Sequence, residues 1–547
     1  LYVNRNRTKE AIIKSAIILL LMYCCAYIAT NKTFGAELLP RVGIMVLLIA
    51  MYIYAIVLGF NKSIKKSVTL TTEQKSESFT FSSRGKDLSI INPFRGVLIV
   101  GGAGSGKSRT FMYPIIKQCA EKGYTGVLYD FKSPELMNLA EQCYSQYSKD
   151  VSIAKIDFKD PTNSQRANPL AYVQSAIHAT NYSQAFIYNL MPEYIQKQDF
   201  WSRSMLSIFS GAIWYFKKNA PELATLPHLF TFFFTYSAQD IVKILSQDKE
   251  VKGYISSLAE AVEQGAEKQV AGVLGTLKNA IGIYNTPDIF WLLSADQTNL
   301  NVNNPEKPTM LLVGNNSALS DSYAPLCSLL ITVASKLMNE PNKLKSAIII
   351  DESPTIYLPN FEQIPATARS NKVAVIVGAQ DISQMNDRYG RDKTEVLISN
   401  LGNQFYGRTT NKETAERVVK LFGQREDVVQ MQSSKKKFWG AYYTNSSKSE
   451  SIQKRDRIKV QQMTTLNAGQ FAGILAEGNN KEFLEQIELQ DVPTGTKKNF
   501  ESGYSLDNAS RNFEQIYNDV TAFFGTAEQS ERKKDSSRSG YSSDRRF

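Results

Sequence analysis

The residues best suited to chemistry form one short run, GGAGSGKS at 101–108, which fits the pattern GxxxxGK[ST]. Its glycines free the backbone to wrap a phosphate, so that successive N–H groups and a following helix N-terminus face negative charge. Gly101, Gly102, Ala103, Gly104, Ser105, Gly106, Lys107, Ser108 and Arg109 are the candidate nucleotide-binding residues. Lys107 would reach the β- and γ-phosphates, and the Ser108 hydroxyl would ligate Mg²⁺. ATP and Mg²⁺ are the cofactors this chemistry implies.

A second run, SAIIIDES at 346–353, places Asp351 and Glu352 after four apolar residues. Such a run reads as a buried strand, and open α/β sheets bind ligands at the carboxyl ends of their strands. Asp351 would hold Mg²⁺ through water, and Glu352 would polarise the attacking water. A third run, VAVIVGAQDISQM at 373–385, ends near Gln380, whose amide could sense the γ-phosphate. Arg369 precedes that strand and is a candidate arginine finger.

These residues need elements to hold them. An apolar strand at 97–100 leads into the glycine-rich turn and a helix, and a strand at 127–129 ends at Asp130. From about 165 to 300 helical spacing dominates, notably over 200–217 and 255–284. Strands resume at 310–313, 347–350, 373–377 and 404–406. Strands alternating with helices predict a mainly parallel sheet covered on both faces. The expected organisation is a nucleotide-binding domain over 67–165 and 301–490, an all-α domain at 166–300, and a C-terminal extension at 491–547. Residues 67–90 read as a polar linker into this domain. From 527 onward the chain is rich in Ser and charge, which predicts a disordered tail.

Two long apolar runs, 11–30 and 42–60, precede all of this. As helices each would reach roughly 28–30 Å, enough to cross a bilayer core. Arg5, Arg7 and Lys9 lie before the first, and Lys62, Lys65 and Lys66 after the second. The bias of basic residues places both ends, and hence the large domain, on the cytoplasmic side. Residues 1–66 are therefore expected to be a two-helix transmembrane anchor.

The net charge of +11 favours an anionic partner such as nucleic acid or acidic lipid. The stretch 433–457 mixes basic and aromatic residues, as single-strand binders do, although a solvated loop or hairpin would carry the same composition. The five cysteines form no CxxC pair and the two histidines are far apart, which speaks against a zinc site.

Taken in order, the two N-terminal runs, GGAGSGKS, YDFK at 129–132, NPL at 168–170, a helical block, IIIDES and VGAQD resemble the TraG/TraD-type coupling proteins of conjugation and type IV secretion. These belong to the FtsK/HerA group of RecA-like P-loop ATPases, and the resemblance spans roughly 1–490. It implies a RecA-like α/β core, an inner-membrane homo-hexamer, and a role linking a relaxase complex with single-stranded DNA to the proteins of a type IV secretion channel. It also sets Lys107, Ser108, Asp351, Glu352, Arg369 and Gln380 on ATPase positions. Asp130 and Lys132 match a family motif without an evident task. A chromosome-partition motor would add more spans and a C-terminal winged helix. An ABC transporter would carry LSGGQ between 108 and 351, and none occurs there. A membrane-bound recruiting ATPase that docks protein cargo without pumping DNA is the alternative from another class.

Overall fold

The computed structural model describes residues 71–83, 87–434, 446–478, 481–491 and 502–525. The apolar runs 11–30 and 42–60 and the tail from 527 lie outside these residues. Among the described residues no helix is long and apolar enough to cross a membrane.

Nine strands form one sheet in the order β13-β12-β9-β3-β8-β7-β4-β6-β5. They are β3 (Val97–Val100), β4 (Thr125–Asp130), β5 (Ser152–Asp157), β6 (Thr309–Gly314), β7 (Ser346–Ile350), β8 (Val373–Ala379), β9 (Asn403–Tyr406), β12 (Gln470–Ile474) and β13 (Glu482–Gln486). From β9 to β5 every neighbouring pair is parallel, whereas β12 pairs antiparallel with both β9 and β13. The mainly parallel expectation therefore holds.

The pleat explains why the central strands are apolar throughout. Val97 and Ile99 of β3 join one core, with Phe111, Ile115 and Leu136 from the helices after β3 and β4. Leu98 and Val100 join the other, with helix Ser320–Met338 and the helical block. A strand buried on both faces has no polar side to present.

Residues 67–90 are not a mere linker. A helix, Thr72–Glu77, precedes a two-stranded ribbon of β1 (Phe79–Phe81) and β2 (Leu88–Ile90). Phe79, Phe81, Leu88 and Ile90 are all buried, so a period of two hidden in a polar stretch supplies the apolar face.

Between β5 and β6 lies a run of helices from Ala176–Leu190 to Pro287–Leu293. Ser175, Asp199, Thr225, Ser237, Asp248 and Thr286 cap six of them through side-chain oxygens, which fixes where each begins. The C-terminal helix Leu506–Phe524 packs across this block, with Phe513 4.8 Å from Phe290 and Phe524 4.9 Å from Phe232, ring centre to ring centre. Its buried Ala509, Ile516 and Val520 form an apolar stripe. Within 433–457 the backbone belongs to an antiparallel ribbon of β10 (Gln424–Ser434) and β11 (Ser446–Asp456). Lys435, Lys436 and Lys437 lie outside the described residues.

Candidate nucleotide site

The loop 101–107 leaves the carboxyl end of β3 and turns into the helical residues Ser108–Met112 and Tyr113–Glu121. Gly104 and Gly106 adopt φ of +75° and +88°. A side chain at Gly106 would also meet the Gly469 amide nitrogen at 2.9 Å, so both backbone and space demand glycine. The loop is held from outside its own run. Gly102 N–H donates to the Arg408 carbonyl at 2.9 Å, and Gly469 N–H donates to the Ser105 carbonyl at 2.9 Å.

Strand order decides what faces the loop. β8 lies between β3 and β7, so Gln380 emerges between the phosphate loop and the acidic pair. Gly378 lets β8 pass this closely, since a Cβ there would stand 2.1 Å from the Asp351 carbonyl oxygen. The Lys107 ammonium donates to Glu352 Oε2 at 2.8 Å and to the Asp351 carbonyl at 3.2 Å. The Gln380 N–H donates to Glu352 Oε1 at 2.9 Å. Glu352 is thus gripped at both oxygens, and an ion pair this buried is oriented as well as neutralised.

Asp351 is different. Its Oδ1 is buried without a hydrogen-bond partner. Burial pushes its carboxyl above the usual range, with the Glu352 and Glu135 charges adding to this and Lys107 and Lys132 opposing it. An unpartnered buried carboxylate oxygen beside a glycine-lined anion cradle is the donor set that a hydrated Mg²⁺ with a nucleotide phosphate would complete. The residues present fit ATP and Mg²⁺.

The sequence-predicted residues separate into two groups. The structure brings together 101–108, Asp351, Glu352 and Gln380. Arg109 points elsewhere, with its guanidinium on the Gln490 carbonyl and the Asp491 carboxylate. Arg369 is also apart. It is exposed, in the turn before the amino end of β8, whose seven residues span about 20 Å. That turn is braced by Lys372, which pairs with Glu73 at 2.8 Å and Glu77 at 2.9 Å.

Arg408 is a neighbour that sequence reasoning missed. It follows β9, the strand beside β3, and its guanidinium donates to the Ala103 carbonyl at 3.1 Å. Its only signal in the chain is a position just past a strand end. Asp130 finds its task here too. Its carboxylate accepts from the backbone N–H groups of Lys132, Leu136 and Met137 at 3.1, 2.8 and 3.1 Å. It thereby closes the turn into helix Glu135–Tyr147. Burial pushes this carboxyl up to about 7, against the pull of those donors. Asn168 of the NPL run is likewise a tie, accepting from Leu170 N–H and donating to the Ala224 carbonyl. Asp130→Ala is expected to lower stability by about 1–3 kcal/mol, because buried donors lose their acceptor. Urea unfolding measures this. Unchanged stability with lost nucleotide binding would instead assign Asp130 to the ligand.

A family model described as "Type IV secretory system Conjugative DNA transfer" matches residues 58–481. No curated protein sequence matches the chain. Among solved structures, the unbound bacterial conjugative coupling protein TrwBdeltaN70 is similar, with 14% identity, a TM-score of 0.57, and coverage of 76% of this chain and 89% of that one. TrwB with the ATP analogue ADPNP is similar at 13% identity and a TM-score of 0.55, covering 76% and 89%. TrwB with ADP and Mg²⁺ is similar at 13% and 0.55, covering 76% and 90%. At these identities the likeness is one of fold.

Proposed function

This chain belongs to the conjugative DNA transfer family of type IV secretory systems, and on that premise we propose that it is an ATP-hydrolysing coupling protein. It links a relaxase complex with single-stranded DNA to the secretion channel and drives DNA transfer. The observation that carries this reading is the meeting of Lys107, Asp351 and Glu352 at the carboxyl ends of β3 and β7. TrwB, whose fold the chain resembles, has been solved with ADPNP and with ADP and Mg²⁺, which supports the same ligands here.

Bound between Ser108 and Asp351, Mg²⁺ would supply charge neutralisation to the phosphate oxygens. The chain's own groups do the rest. The loop amides orient the phosphates, and Lys107 turns from Glu352 to the β- and γ-oxygens. Released on that side, Glu352 accepts a hydrogen bond from the attacking water and aligns it. Gln380 stands where its amide reports the γ-phosphate. The exposed Arg369, remote from its own chain's loop, serves the site of the next subunit in a homo-hexameric ring. Family membership supports association with a membrane. Residues 11–30 and 42–60 would anchor the ring there, with its large domain in the cytoplasm.

Lys107→Ala is expected to abolish ATP hydrolysis and conjugative transfer while the protein still fractionates with membranes. Mating frequency from donors that carry only the variant measures this. Wild-type transfer by Lys107→Ala would overturn the motor reading.

A further inference from the structure

Helix Ser320–Met338 starts after β6 at the nucleotide edge of the sheet and ends beyond the other edge. Its last two turns present Thr332, Ser335 and Lys336 to the segment 358–367, and the two enclose a cavity of about 200 Å³. Spacings of three and four place these side chains on one helix face.

Three deficits meet in this cavity. Thr332 Oγ1 and Ser335 Oγ are buried without hydrogen-bond partners, in residues only 5% and 3% exposed. Helical hydroxyls ordinarily satisfy themselves on the carbonyl four residues back, and these two do not. Lys336 is half-buried, and burial pushes its ammonium down to about 8. It lies 5.8 Å from the Tyr182 ring, and no carboxylate lines the cavity. Side-chain amides of Asn360 and Gln363 line the same space, and Leu358 and Ile364 give it an apolar wall. Water could satisfy the hydroxyls, but it would leave the ammonium without an opposing charge.

We propose that the cavity between the end of helix Ser320–Met338 and residues 358–367 binds a phosphate group, as free phosphate or as a small monoester. A tetrahedral dianion accepts from the ammonium, both hydroxyls and the amides together, which removes all three deficits at once. The site is separate from the phosphate loop and adjoins the turn of Arg369. Thr367, on the cavity wall, accepts from Asn339 Nδ2 at 3.1 Å, and Asn339 Oδ1 accepts from Asn371 at 2.8 Å.

The test uses the full chain carrying Lys107→Ala, which weakens the phosphate loop as a competing site. Equilibrium dialysis with radiolabelled inorganic phosphate should give saturable binding. Adding Lys336→Met should weaken it at least about tenfold, the loss of one charge-assisted hydrogen bond. Ser335→Ala should weaken it about threefold or more, without a change in melting temperature, and covers the case in which Lys336→Met fails to fold. Competition by glycerol 3-phosphate below the concentration of phosphate itself identifies a monoester site, and weaker competition identifies a free-phosphate site. Acetate should compete poorly. Absence of saturable binding, binding indifferent to both substitutions, or displacement by acetate as readily as by phosphate would overturn the proposal.

Discussion

Arg369→Ala should leave ATP affinity within about twofold and cut turnover by roughly 10³–10⁵, the range over which a cationic finger stabilises charge on a transferring phosphoryl group. The expectation rests on position. Arg369 is exposed in the turn before β8, and the strand separates it by about 20 Å from its own phosphate loop. A guanidinium there cannot reach its own chain's γ-phosphate, but it can meet a neighbour's. Mixing Arg369→Ala with Lys107→Ala protein separates the possibilities, since each brings what the other lacks. One interface in the mixed ring pairs an intact loop with an intact arginine, so activity should return once subunit exchange is verified by fluorescence. Verified exchange without recovered activity would contradict action between subunits.

Glu352→Gln should keep nucleotide binding and lower hydrolysis by roughly 10²–10⁴, the contribution of a positioned general base. In the structure Glu352 is buried and held by Lys107 on one oxygen and by the Gln380 N–H on the other. Glutamine preserves the shape and one acceptor but removes the charge that aligns water. Asp351, with its unpartnered oxygen, remains to hold the metal. Binding by dialysis and single-turnover hydrolysis together measure the two effects. Loss of nucleotide binding in Glu352→Gln would mean that the roles given to Asp351 and Glu352 are exchanged.

What could be read from the chain alone followed locality. The phosphate loop and the acidic pair are short runs whose residue types carry their own chemistry, and β3, β7 and β8 announce themselves as uninterrupted apolar segments. β5 does not, because Lys155 breaks its pattern. That lysine is nearly fully buried and is neutralised by Glu141 at 2.7 Å, a partner on another element. β12 and β13 lie at the antiparallel edge, where one face is polar, so their periodicity is weak. Phe79 and Phe81 were hidden among serines and threonines until Leu88 and Ile90 paired across from them. Arg408 matters only because β9 lies beside β3, a fact of topology rather than of sequence spacing. Asp130 matters through backbone donors that no side-chain pattern encodes. Helix Leu506–Phe524 carries only a few apolar residues, and its place became clear from the aromatic rings it covers.

The most direct test of the account is ATP hydrolysis by the purified full chain in detergent or bilayer discs, measured with and without single-stranded DNA. The account predicts hydrolysis that depends on Mg²⁺, vanishes in Lys107→Ala, and rises with single-stranded DNA, the rise falling away as salt releases the strand. Hydrolysis indifferent to DNA but stimulated by a protein cargo would contradict a DNA motor and favour a recruiting ATPase. Hydrolysis that survives in Lys107→Ala would contradict the site itself.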